Sequence, residues 1–460
     1  MQPTPSVAAE PPLDLETRFA RGLGRLQAGD AEGARRDFLA ARDEAPDSPE
    51  IHANLALAHE RCGDPTAALA AYRMALSLAP DDTLILLNAG ALLTRLQRFD
   101  DAEAVYHSAL SEDPGQPAIW SNLGVLEACR QRDDAAEHCY RQALTLAPDY
   151  RNARFNLAYL LLRQGRYREG WPCLEARDSL ARLASRLDFP CWQGEALAGR
   201  RILIAAEGGH GDLLHFCRYA ALLKAAGAAT VGIVAYPGLE GLLSTLTGVD
   251  RVLLADEAPQ AAEWDDWVGV LSLPGRFSTQ GEPLPASLPY LTVPLPAQTR
   301  WQQRLPARGR RRVGLVWQGN PAFANDGERS LPDPELLAPL LAIPGIDFFS
   351  LHRDGTRTLP GVTELGPEIA DFSDSAAILG ELDLLISVDT ALAHLAGALA
   401  RPCWLLLADY QTDWRWLTGR EDSPWYPGVM RLFRQPARGD WPAVIDRVAA
   451  ALADWADEAR

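Results

Sequence analysis

The chain has 460 residues, enough for two or three domains with cores of their own, and carries a formal net charge of −17. So acidic a balance argues against nucleic acid and against an anionic membrane as partners. Cys62, Cys129, Cys139, Cys173, Cys191, Cys217 and Cys403 are odd in number and form no CxxC pair, which fits reduced thiols in a cytoplasmic protein and gives no metal-ligand pattern.

The opening run, MQPTPSVAAEPPLDLE, has neither a basic start nor an apolar stretch, so residues 1–14 read as a disordered lead and not as a signal peptide. No run anywhere approaches the ~20 apolar residues of a membrane span. From residue 15 a 34-residue period sets in, marked by Pro46, Pro80, Pro114 and Pro148. Small residues recur at two fixed places before each proline, at Ala34, Ala68, Ala102 and Ala136 and at Ala41, Ala75, Ala109 and Ala143. Large rings recur at Phe38, Tyr72, Tyr106 and Tyr140, where they are expected to fill the space between one repeat and the next. Gly22, Ala56, Gly90 and Gly124 hold another close contact. Each proline ends a helix, because it lacks an N–H and disfavours helix at the residue before it.

This is the pattern of a tetratricopeptide array. Four full repeats cover about 15–48, 49–82, 83–116 and 117–150, and a degenerate fifth extends to about 185. Such arrays are scaffolds that bind peptides or proteins, and they often pack against copies of themselves, so a homo-oligomer is among the expected partners. Asn54, Asn88, Asn122 and Asn156 also recur at 34, on the first helix of each pair. Their amides offer donor and acceptor to an extended peptide backbone; the alternative is that they tie neighbouring helices together.

Beyond about residue 186 short apolar runs alternate with helices, the signature of parallel α/β units. RILIAAE, TVGIVAY, RVLLAD and WVGVLSL read as strands of a first half, over 186–283. A Pro-rich stretch, 284–306, reads as a linker. RVGLVW, DFFSLH, DLLISV and PCWLLLA read as strands of a second half, over 307–456, with helices near 334–342, 374–382 and 390–400. Two doubly wound halves place their strands' carboxyl ends toward a cleft.

Three loops at those ends hold the candidate site. The first is Glu207-Gly208-Gly209-His210-Gly211-Asp212, where Asp212 either caps the next helix or faces a ligand. The second is the long polar loop with Asn320, Arg329 and Ser330. The third, SVDTALAHLAGALARP, ends a buried strand at Ser387. Asp389 or Thr390 is expected to cap the following helix, whose N-terminus suits a diphosphate. His394 stands one turn in, either to donate to a phosphate or sugar oxygen or as a core residue. His352, at another strand end, is a further candidate. Trp414, Trp416, Trp425 and Tyr426 form either an aromatic platform for a base or sugar, or core packing.

SVDTALAHLAGAL with the upstream GHGD turn resembles the ADP-heptose:lipopolysaccharide heptosyltransferase superfamily, which has the GT-B fold. Joined to tetratricopeptide repeats, with RVGLVWQGNP, ERSLP, DWRWL and DSPWYP, the chain is similar to bacterial repeat-fused glycosyltransferases likened to O-linked N-acetylglucosamine transferases. The Asn ladder matches the one lining the peptide groove of those enzymes.

The resemblance implies inverting sugar transfer from a nucleotide-sugar donor, with no metal or other cofactor, to a protein hydroxyl. It assigns Asp212 as the base; His210 stands where relatives commonly have a small or apolar residue, and is either a second candidate base or a departure that alters the site. Gly211, Asn320, Arg329, Ser330, His352, Ser387, Asp389, Thr390, His394 and Trp414 fall on the donor side. Relatives often meet the leaving diphosphate with a lysine, yet Lys224 is the only lysine here and sits inside a helix. The charge is then expected from Arg329, the helix start at Thr390 and His394. Two other readings stay open: a non-catalytic scaffold or nucleotide-sugar sensor, and transfer to a lipid or polysaccharide.

Overall fold

The computed structural model describes residues 14–257, 259–277, 287–323, 325–353 and 358–457. The expected lead, apart from residue 14, and residues 284–286 of the expected linker lie outside them. The chain divides into two compact units, one ending at Asn156 and the other running from Leu157 to Arg460.

The described residues of the first unit form helices joined by short turns. Its pairs are α1 (Leu15–Gln27) and α2 (Ala31–Glu44), α3 (Pro49–Arg61) and α4 (Pro65–Leu78), α5 (Thr83–Arg95) and α6 (Phe99–Glu112), and α7 (Pro117–Cys129) and α8 (Asp133–Leu146). α9 (Arg151–Arg163) spans the division between the units, and α10 (Tyr167–Leu174) follows it. Local chemistry sets this regularity. Asp30, Ser48, Asp64 and Asp82 accept N–H groups from the first turns of their helices. Gly29, Gly63, Gln97 and Gln131 take left-handed backbone at the same place in successive repeats, turning the first helix into the second. Both alanine series are fully buried.

The rings share clusters with residues of the following repeat, Phe38 with Leu55 and Tyr106 with Leu123, and they also pack within their own repeat. A Cβ placed on Gly22, Gly90 or Gly124 would stand 2.7, 2.5 or 2.6 Å from Phe38, Tyr106 or Tyr140. Each ring therefore packs on the glycine of its own repeat, because the two helices of a hairpin approach most closely there.

The second unit carries two all-parallel sheets. β1 (Arg201–Ala205), β2 (Thr230–Ala235), β3 (Arg251–Leu254) and β4 (Asp266–Gly269) make a sheet of order β3-β2-β1-β4. The other contains β5 (Arg311–Val316), β6 (Ile346–Ser350), β7 (Val362–Glu364), β8 (Leu384–Val388), β9 (Cys403–Leu407) and β10 (Met430–Arg434), in the order β10-β9-β8-β5-β6-β7. β8 and β9 are buried along their whole length, as apolar strands covered on both faces must be. Trp441, Val444, Ile445, Val448 and Leu452 of the closing helix Trp441–Asp457 pack into this sheet's core.

The stretch read as a linker holds a helix, Leu295–Arg304, with Pro294 at its N-cap and Pro296 in its first turn. Prolines there preset helical φ and withhold no needed N–H, so their density marks a helix start. Trp301 Nε1 donates to Asp374 Oδ1 at 2.9 Å, fixing this helix against Phe372–Glu381. No helix among the described residues is long and apolar enough to cross a membrane.

Candidate functional site

In each sheet the strand order reverses once, between β1 and β4 and between β5 and β8. Ligands of doubly wound sheets bind outside the carboxyl ends of the strands at such points. The Asp212 loop follows β1, the Asn320 loop follows β5, and Ser387 to His394 close β8 and open the helix Ala391–Ala398. All three loops chosen from the sequence thus lie at the two reversal points.

The two sets meet. A Cβ on Gly211 would stand 3.0 Å from His394 Cδ2 and 3.6 Å from Ala391 Cα, so the helix His210–Phe216 and the 391–398 helix approach with their first turns in contact. Asp212 is the third residue of the first of these helices, and its Oδ2 accepts the Gly209 N–H at 2.6 Å, the capping contact expected of it. Its Oδ1 accepts from Arg415, in the 3-10 turn Trp414–Trp416 beyond β9. Burial raises the Asp212 pKa, against the opposing pull of Arg415 and the Gly209 N–H.

Below this pair the turn is anchored. Glu207, buried, accepts from Arg177 Nε and Nη2 at 2.8 and 2.6 Å, from Ser179 Oγ at 2.7 Å and from the Leu271 N–H at 3.2 Å. Arg177 also reaches Ser272 Oγ at 2.6 Å. His210 lies between Tyr236 and Phe372, with ring centroids 5.1 and 5.3 Å away. Burial lowers its pKa, so the neutral imidazole prevails at pH 7 and its second-base assignment keeps a usable lone pair.

On the other side Thr390 is the N-cap by backbone conformation, but no side-chain capping bond forms. Its hydroxyl lies 3.1 Å from Ser387 Oγ, and the Asp389 carboxylate accepts instead from Trp416 Nε1 at 2.9 Å. Burial, then the neighbouring Asp413 carboxylate, lift Asp389 from 3.8 to about 6. Ser330 Oγ accepts the Gly319 N–H at 2.9 Å, Asn320 Oδ1 accepts the Ala322 N–H at 3.0 Å, and Arg329 bonds Asp326 at 3.0 Å with its guanidinium over Phe323.

Several residues that the sequence left with two readings can be set against the geometry. His394 is buried, its Nδ1 2.9 Å from the Tyr426 hydroxyl and its ring between His215 and Trp416. Desolvation, then Arg415 and Arg218, hold its pKa far below the usual range, so it brings no positive charge at neutral pH. Trp414, Trp416, Trp425 and Tyr426 are buried together and not displayed as a platform: Trp414 packs on Trp171, Trp425 and Phe216. His352 accepts the Trp317 N–H at Nε2, 3.0 Å away, and its ring lies on Trp317, which makes it a brace for the end of β5. Lys224 pairs with Asp250 at 2.8 Å beside the start of β2, the opposite end of its sheet from Asp212.

In the repeats Asn54, Asn88, Asn122 and Asn156 occupy the same half-buried position of α3, α5, α7 and α9. Asn54 donates to Glu50 O of its own helix at 2.8 Å. No bond from this series to a neighbouring helix is found among the described residues. Arg415, Asp413 and the Arg177–Glu207 pair were not singled out from the sequence. The run Asp413-Trp-Arg-Trp-Leu, which places a charged residue between two indoles, was the available signal.

Known proteins match the first unit most directly. Tetratricopeptide-repeat patterns match residues 19–83 and 130–169 and, in a second pattern, 61–126. The N-terminal unit is thus a tetratricopeptide-repeat scaffold for protein interaction. Protein FlbA of Caulobacter vibrioides is 30% identical over 341 residues, 67% of this chain and 56% of FlbA, so the match spans little more than half of that relative. The structure of PilF from Pseudomonas aeruginosa aligns at 24% identity over 36% of this chain and 75% of PilF, with a TM-score of 0.33. A thermophilic repeat protein of Thermus thermophilus aligns at 24% identity over 38% of this chain and 96% of its own, with a TM-score of 0.33.

Proposed function

We propose that the chain is a glycosyltransferase that moves a sugar from a nucleoside diphosphate donor to a hydroxyl of a protein held by its repeats, with inversion and without a metal. One observation carries this reading: at the reversal points of two parallel sheets the Asp212 turn meets the first turn of the 391–398 helix, and the aspartate there is half-buried with a buried arginine beside it. A carboxylate so placed suits a general base that takes the acceptor proton as the acceptor oxygen attacks the anomeric carbon. His210, neutral and at the same turn, is the second group with that capacity. The loops after β5 and β8 supply polar groups and helix-start N–H donors for the donor's phosphates and sugar. The Asn series supports a peptide acceptor, since no bond to a neighbouring helix uses those amides among the described residues.

A second reading, a nucleotide-sugar sensor without turnover, is favoured by the engagement of both Asp212 oxygens. The full chain, given labelled ADP-, UDP-, GDP- and dTDP-sugars and a library of hydroxyl-bearing peptides, separates them. Asp212→Asn is expected to lower transfer by about 10²- to 10⁴-fold while leaving the donor bound. Binding of a sugar nucleotide by the wild type with no transfer and no donor hydrolysis would establish the sensor. Asn88→Ala with Asn122→Ala is expected to raise KM for the peptide and leave donor hydrolysis unchanged. Transfer that ignores this pair would point to a lipid or polysaccharide acceptor.

A further inference from the structure

Sugar transfer from a diphosphate leaves negative charge on the departing oxygen, and a buried site must meet it with a cation. The cations foreseen do not suffice: His394 is neutral at its place beside Tyr426, Lys224 is at the wrong end of its sheet, and Arg329 is paired with Asp326. Arg415 differs. Only 6% of the residue is exposed, yet its Nε–H has no acceptor among the described residues. Nη1 donates to both oxygens of Asp413 at 3.0 Å, and Nη2 donates to Asp212. Trp414 and Phe216 lie 4.5 and 5.1 Å from the guanidinium and fix its plane. Asp413 belongs to the same turn as Arg415, whereas Asp212 comes from the other sheet, and its side chain is 23% exposed. The pair is therefore open from the Asp212 side.

We propose that Arg415 receives the diphosphate of the donor, and that the diphosphate frees Asp212 by taking its place on the guanidinium. The inference rests on the glycosyltransferase reading. A diphosphate brings more charge than a carboxylate and fits the planar fork of arginine in two-point contact, with the vacant Nε–H as one of the points. Asp413 keeps the guanidinium in position during the exchange. Asp212, parted from its cation in a half-buried place, becomes the stronger base. In the transfer step the acceptor oxygen bonds to the anomeric carbon and its proton passes to Asp212. The bond from that carbon to the diphosphate oxygen breaks, and its electron pair stays on that oxygen, facing Arg415. Base and leaving-group cation thus hold each other inactive until a donor arrives, which limits donor loss to water.

The test is calorimetric titration of the full chain with ADP, UDP, GDP and dTDP at neutral pH, in the wild type, Asp212→Asn and Arg415→Met. For whichever diphosphate binds, Asp212→Asn is expected to bind about threefold tighter, since a competing charge is gone. Arg415→Met is expected to bind about tenfold weaker. A purely structural pair predicts the opposite sign for Asp212→Asn, because loosening the turn would weaken binding. Should Arg415→Met fail to fold, equal or weaker binding by Asp212→Asn still overturns the proposal. A wild type that binds a diphosphate with unchanged affinity in both variants overturns it and leaves the glycosyltransferase reading standing. A wild type that binds none of the four removes both.

Discussion

In the repeats Gly22 meets Phe38, Gly90 meets Tyr106 and Gly124 meets Tyr140, each across one helical hairpin, whereas Asp212 meets Arg415 across 203 residues. The first kind of contact is repeated with the period and tolerates an imperfect copy; Ala56 replaces the glycine in the second repeat. The second kind occurs once. A periodic surface distributes binding along many equal positions, and a single convergence concentrates charge and burial where chemistry can use them. The two regions should therefore respond to substitution on different scales.

The largest effect is expected at the buried ion pair under the Asp212 turn. The Arg177 and Glu207 side chains are 3% and 1% exposed. Arg177→Met strands a buried carboxylate and is expected to destabilise the second unit by about 3–5 kcal/mol. The counterpart in the repeats, Arg95 with Glu60, has its arginine side chain 63% exposed. Arg95→Met is expected to cost under about 1 kcal/mol. Trp120 is the only tryptophan before Trp171, so urea unfolding followed by tryptophan emission reports mainly the second unit. A loss below about 1 kcal/mol for Arg177→Met would erase the contrast.

Asp389 should show the next effect, and it is tied to pH. Burial raises its folded pKa to about 6, above its ordinary 3.8, so the native state holds a proton that the unfolded chain has released. Its contribution to stability is then fully present below about 4 and is lost as pH rises through about 6. Asp389→Asn keeps an acceptor for Trp416 Nε1 and is expected to add on the order of 1–2 kcal/mol at neutral pH, with no gain near pH 4. Unfolding midpoints across that window check it. A variant less stable than the wild type at neutral pH would show that the carboxylate is sustained by its surroundings.

How much of this was legible in the sequence follows the same division. Pro46 to Pro148 and the alanine series fixed the repeat boundaries because each copy obeys the same local sterics. The apolar runs RILIA, TVGIVA, LLISV and CWLLL announced their strands because strands covered on both faces must be apolar throughout. β7 and β10 were missed: Val362–Glu364 is three residues long, and Met430–Arg434 interleaves arginines with apolar residues at a sheet edge. Asp212 and Thr390 could be placed at strand ends. That Trp414 would be buried by Trp171, or that Arg415 would reach Asp212, depends on elements distant in sequence, and no local pattern encodes it. The helix within the Pro-rich stretch is not legible from its prolines, because proline marks both extended chain and the first turn of a helix.

The smallest effect lies in the repeats and concerns their turns. Gln97 and Gln131 have φ of 58° and 59°, where the first and second repeats have Gly29 at 84° and Gly63 at 77°. A side chain in that region crowds its own backbone, and glycine relieves the strain while adding freedom to the unfolded chain. The two changes oppose each other, so Gln97→Gly and Gln131→Gly are each expected to stabilise by only about 0.5 kcal/mol. Gly63→Gln, run in reverse, is expected to cost about 1 kcal/mol. Native-state hydrogen exchange of the amides in the flanking helices resolves differences of this size repeat by repeat. If the repeats are as independent as their period implies, protection should change in α5 to α8 for the glutamine sites and in α3 and α4 for Gly63, and fade beyond the adjoining repeat. A change spread evenly through α1 to α8 would mean that the array unfolds as one body, and the contrast with the convergent site would then rest on charge and burial alone.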